Sequence, residues 1–84
     1  MWKVYVLRSV QFNRFYISMT SNLPRRLKEH NSGKTKSTKG FKPWKLFFFE
    51  DFDSRKEARN REKYLKSGIG REFIKNKWSS SSAG

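Results

Sequence analysis

Tyrosines stand at positions 5 and 16, paired arginines at 25 and 26, the chain's single histidine at 30 and a glutamate at 62. These side chains match the needs of phosphate chemistry. A guanidinium grips a phosphate oxygen with parallel bonds, a carboxylate holds a hard cation, and a phenol or imidazole moves a proton. Glu62 is the most informative of them. Ala58, Leu65 and Ile69, at offsets of −4, +3 and +7, share its helix face. A carboxylate inside an apolar stripe needs a cation, a hydrogen bond or a metal ion. A half-exposed bridge to a nearby Arg or Lys meets that need as well as a metal does.

The other positions also carry plainer alternatives. Arg26 shares a face of its helix with Leu23 and His30, whereas Arg25 points off that face into solvent. An arginine so anchored suits a phosphate clamp, or a structural salt bridge, Glu62 being one partner to consider. His30 near a helix C-terminus is favoured by the dipole without any catalytic role. Strand tyrosines such as Tyr5 and Tyr16 serve most often as core aromatics, with hydroxyls that need partners where buried. Glu50, Asp51 and Asp53 precede a helix start, where carboxylates can hold a hard cation or, the plainer reading, favour the positive end of the helix and balance local lysines.

The elements that must position these groups follow from the pattern. "WKVYVLR" (2–8) and "RFYISM" (14–19) read as strands joined by a hairpin. If its loop has an even number of residues, Tyr5 and Tyr16 fall on one sheet face. Ser21 or Asn22 caps a first helix, Pro24 fits its first turn and Gly33 stops it. A lysine-rich loop spans 32–43. "WKLFFFEDF" (44–52) is apolar at both parities, which predicts a central strand covered on both faces. Ser54 and Glu57 open a second helix ending at Gly68; a third fits 70–78, and residues 79–84 are expected to be a disordered tail. The order β-β-α-β-α-α predicts an α+β domain over 1–78, a small three-stranded antiparallel sheet flanked by helices.

Charge names the partner class. Twenty Lys and Arg against seven Asp and Glu give a formal net charge of +13 in 84 residues. Such a domain attracts polyanions, nucleic acid first among them. Absence of cysteine excludes disulfides and cysteine-ligated zinc. No run is long enough for an apolar membrane span, and the N-terminus reads as a strand rather than a signal peptide. A soluble cytoplasmic protein is expected.

In order and separation, "KVYVL", "FYIS", "TSNLPRRLKEHNSG" and "SRKEARNREKYLKSG" resemble the GIY-YIG nuclease domain, and most closely its small single-domain members related to the UvrC N-terminal module. The resemblance covers roughly residues 2–76. It places the GIY tyrosine at Tyr5, the YIG tyrosine at Tyr16, the helix arginine at Arg26, a frequent histidine at His30 and the metal-binding glutamate at Glu62. Asn76 stands near a later family asparagine. Lys3 and Ser18 occupy the two motif glycine positions, and Val4 replaces the isoleucine. The resemblance implies a DNA endonuclease that depends on Mg2+ or Mn2+ and hydrolyses phosphodiester bonds. It would select substrates by structure (branched or flapped duplex) rather than by sequence, unless a protein partner supplies specificity. Arg25, Lys28, Lys34, Lys36 and Lys39 would then track the nucleic-acid backbone. A module of the same fold that binds nucleic acid without cleaving it is the main alternative, and a basic RNA-associated protein the third.

Overall fold

In the computed structural model the chain forms β1 (Trp2–Ser9), β2 (Phe15–Thr20), α1 (Leu23–Ser32), β3 (Trp44–Phe52), α2 (Arg55–Lys66) and α3 (Gly68–Ala83). The loop before β3 contains one 3-10 turn, Lys39–Phe41. The structure describes the backbone of residues 1–83 and side chains through Trp78, so the tail expected over 79–84 lies outside the residues described in full. The three strands make one antiparallel sheet in the order β2-β1-β3.

Alternation along the strands builds two cores. Val4, Val6 and Ile17 face Ala58 of α2, Leu65 of α2 and Ile74 of α3. Tyr5 and Leu7 face the other way, with Leu23 of α1 and Trp44 of β3. The sheet is thus a middle layer with α1 on one side and α2 and α3 on the other.

The structure corrects the reading of 44–52. The central strand is β1, with Val4, Tyr5, Val6 and Leu7 buried, while β3 lies at an edge with Leu46 and Phe49 exposed. Its double-parity pattern comes from a β-bulge. Val6 pairs with Phe48 but Leu7 pairs with Leu46, so Phe47 is the extra residue. Phe47 and Phe48 consequently pack against the same core, beside Phe15 and Phe73.

Helix ends follow the expected chemistry. Asn22 Oδ1 accepts from Arg25 N–H (3.2 Å), and Gly33 closes α1 in the left-handed region at φ 84°. Ser54 Oγ accepts from Glu57 N–H (3.2 Å) at the start of α2. This helix stops at Lys66, with Ser67 as its cap, and Gly68 opens α3 instead of ending α2. Gly70 lets the two helices meet: a Cβ there would lie 2.0 Å from the Tyr64 carbonyl oxygen and 2.4 Å from Leu65 Cα. Because α2 has already ended, Ile69 leaves the predicted apolar stripe and is 71% exposed.

Candidate active site

The β1–β2 turn decides where the phenols point. Ser9 N–H donates to Arg14 C=O (3.0 Å), which leaves residues 10–13 as an even loop. Tyr5 pairs with Ser18 and Leu7 with Tyr16, so all four lie on the α1 face of the sheet.

Helix α1 brings His30 over this face. Its ring is fully buried between two hydroxyls, Tyr5 Oη at 3.0 Å from Nε2 and Thr38 Oγ1 at 2.8 Å from Nδ1. The Thr38 hydroxyl also lies 3.3 Å from the Thr35 carbonyl. With its proton given to that carbonyl, its oxygen accepts from His30 Nδ1–H, and Nε2 is left to accept from Tyr5 O–H. The Tyr16 ring meets the His30 edge with centroids 4.9 Å apart.

Thr38 is itself held. Trp44 Nε1–H donates to its carbonyl (2.9 Å), while Asn31 of α1 bonds both the N–H and the C=O of Trp44. No buried side-chain nitrogen or oxygen among the described residues lacks a partner. The relay therefore sits in a closed polar network, the condition under which buried polar groups add rigidity.

Arg26 lies half-buried beside Tyr5. Its Nη1 donates to Glu29 (2.7 Å), and Arg25 reaches the same carboxylate from solvent (3.3 Å). The two arginines hold the Glu29 carboxyl below the usual carboxylate range. Burial pushes the Tyr5 phenol up, opposed by the neighbouring Ser18 hydroxyl and Arg26 guanidinium. Burial, with help from the Arg26 charge, pushes His30 down. Both effects favour a neutral phenol hydrogen-bonded to a neutral imidazole at physiological pH.

Glu62 is placed differently from the other four. It follows Ala58 by one turn on the α2 face that packs against Val4, Val6 and Ile17. Its side chain is 13% exposed, and its partner is Lys66 of the same helix (3.2 Å). Among the described residues it makes no hydrogen bond or ion pair with Tyr5, Tyr16, Arg26 or His30. Nor do His and acidic side chains gather in groups of three or more there. Glu50 pairs with Arg61 (2.8 Å) and Asp51 with Lys3, so neither is free for a cation. Asn76 is exposed on α3, as are Arg25, Lys28, Lys34, Lys36 and Lys39 on α1 and its following loop.

Sequence reasoning missed three residues of this site. Glu29 was readable, since it lies three and four residues after the arginine pair. Ser18 was noted only as a replaced glycine, yet it stands opposite Tyr5. Thr38 gave no local signal, because only the folded loop carries it to His30.

Comparison with known proteins gives the family. The GIY-YIG catalytic domain model matches residues 1–75. The chain belongs to the GIY-YIG family. It is 42% identical over 64 residues to a UPF0213 protein of Clostridium perfringens, covering 75% of this chain and 68% of that one. It is 42% identical over 55 residues to the UPF0213 protein YazA of Bacillus subtilis, covering 64% of this chain and 56% of YazA. The solution NMR structure of a UPF0213 protein from Bacillus halodurans superposes with a TM-score of 0.54 at 32% identity, covering 90% of this chain and 84% of that one. GIY-YIG domains are nuclease domains, and they generally use divalent metals. No helix among the described residues is long and apolar enough to cross a membrane.

Proposed function

We propose that this chain is a DNA endonuclease that depends on Mg2+ or Mn2+ and selects substrates by structure, with branched or flapped duplex as substrate. One observation carries the reading. A buried tyrosine hydroxyl lies 3.0 Å from Nε2 of a histidine held at Nδ1 by Thr38, and an arginine stands beside the phenol oxygen.

Hydrolysis of a phosphodiester requires water to lose a proton as it attacks phosphorus, and otherwise depends on positioning and charge stabilisation. The Tyr5 oxygen receives that proton while its own passes to His30 Nε2. The imidazolium so formed keeps its Nδ1–H on Thr38. Arg26 is braced by Glu29 through Nη1, and a guanidinium has five N–H donors, so others remain for a non-bridging oxygen. Tyr16, packed on His30, orients the ring. Arg25, Lys28, Lys34, Lys36 and Lys39 contact the backbone.

For the metal, Glu62 offers one hard carboxylate, partly shielded and close to solvent through Lys66. That donor set suits an ion that keeps several waters and completes its shell with phosphate oxygens. When bound, the ion would polarise the scissile phosphate.

A module that binds without cleaving is favoured by a single fact: Glu62 is engaged with Lys66 and has no bond to the Tyr5 group. Incubation with branched, flapped and linear DNA plus Mg2+ or Mn2+, beside Glu62→Ala and Tyr5→Phe, decides between them. Metal-dependent nicking lost in both variants supports the enzyme. Binding without nicking in all three supports the module.

A further inference from the structure

The free edge of β2 carries a second feature. A groove of about 630 Å³ runs between this edge and the helices behind the sheet, lined by Arg14, Tyr16, Ile17, Lys66, Arg71 and Lys75. Phe15 and Ile74 also contribute to its wall, and no carboxylate does. Its four cations come from three places: the β1–β2 turn, the end of α2 and successive turns of α3. Arg71 and Lys75 have no acidic partner among the described residues. Tyr16 belongs both to this groove and to the His30 contact, so groove and candidate site adjoin across the edge strand.

We propose that this groove holds a single-stranded arm of the DNA substrate, led over the β2 edge from the phosphate at the Tyr5 group. The inference deepens the nuclease reading and rests on it. Three observations carry it. A rim of cations without acids matches a phosphodiester backbone. Two half-buried aromatics, Phe15 and Tyr16, line the groove beside those cations, and aromatic side chains suit unstacked bases, whose faces a duplex hides. Lys66 links the groove to the acidic residue, for its Nζ bonds Glu62. A phosphate arriving in the groove competes for Lys66 and frees the Glu62 carboxylate.

The test is binding without cleavage. Fluorescence anisotropy in EDTA would compare a labelled oligo-dT of about 12 nucleotides, an oligo-U of the same length and a duplex, over a range of salt. The variants are Arg71→Gln/Lys75→Gln and a charge-matched control away from the groove, Lys45→Gln/Lys56→Gln. All four side chains are exposed, and a melting curve checks each fold. We expect the groove variant to bind oligo-dT about tenfold more weakly, with the salt slope reduced by about 1.4, and the control to lose much less. An equal loss in both variants, a loss confined to the duplex, or tighter wild-type binding of oligo-U would overturn the assignment. Because no metal is present, failure of the wild type to nick DNA leaves this measurement untouched. The two ideas therefore fail separately.

Discussion

The two faces of the same sheet differ in kind. The α2–α3 face is apolar at its centre, where Val4, Val6, Ile17, Ala58, Leu65 and Ile74 meet. The α1 face buries Tyr5, His30 and Thr38 as completely as any aliphatic residue. Alternation makes this possible, since Val4 and Val6 flank Tyr5 in sequence yet face the other way. A three-stranded domain can thereby keep most of its apolar stabilisation on one side and the Tyr5–His30–Thr38 network on the other, with Glu62 of α2 the one proposed reactive group outside that network. Each face can then be perturbed alone.

The largest effect should come from Tyr5→Phe. Removing the hydroxyl breaks the relay at its centre and should lower cleavage by about 10²–10⁴-fold. Stability should fall by about 1–3 kcal/mol, because His30 Nε2 loses its partner while the ring keeps its packing. Leu65→Ala should do the reverse. It opens a cavity in the apolar core and should cost about 2–5 kcal/mol in denaturant unfolding. Cleavage per folded molecule in the cold should be unchanged. A large loss of specific activity there would show that the faces are coupled.

Thr38→Val tests positioning rather than packing. It leaves His30 Nδ1–H without a partner, at about 1–3 kcal/mol of stability. It also frees the tautomer, so the acid limb of the cleavage rate should shift, whereas Thr38→Ser should restore both. A purely structural role would lower stability and leave the pH profile in place.

The pH dependence follows from His30, which burial holds below its ordinary 6.5. Above that value folded and unfolded states are both neutral. As pH falls through it, the unfolded chain takes up a proton that the folded chain resists, so stability declines. Unfolding at about pH 7.5 and about pH 5.5 should show this loss, and His30→Gln should flatten it. In the same variant series, cleavage should fall on the acid side below 6.5 and run level above it. A rate that instead climbs toward pH 10 would assign the titration to Tyr5 alone. Ser18→Gly should have the smallest effect. Loss of one hydroxyl near the phenol should slow cleavage about threefold, and glycine in a strand should cost about 0.5–1 kcal/mol.

What could be read from sequence follows the range of the forces involved. Strands and caps depend on neighbours a few residues apart, and the residue types spell them out; the shared face of the two phenols hangs on a loop parity that the Ser9–Arg14 bond decides. Strand order does not. The run 44–52 looked central because a bulge mimics burial on both sides, and a bulge is defined by the partner strand. Glu62 reads from its spacing as a carboxylate in an apolar stripe that a nearby Arg or Lys could answer, and it is 13% exposed and bonded to Lys66 one turn on. Ile69 was assigned to a helix that had already ended. Four of the five residues with proposed catalytic roles meet as a group; the fifth lies on a helix packed against the opposite core.

The extra phenylalanine in β3 has one more consequence. On either side of it, Leu46 pairs with Leu7 and Phe48 with Val6, neighbouring pairs that a strand lacking residue 47 would join directly. Position 47 is thus a spare link: a chain lacking it would keep Trp44 against Ser9 and so keep the indole over the loop that steadies the imidazole. Length changes at this point can be absorbed locally, and the reactive side of the molecule need not register them.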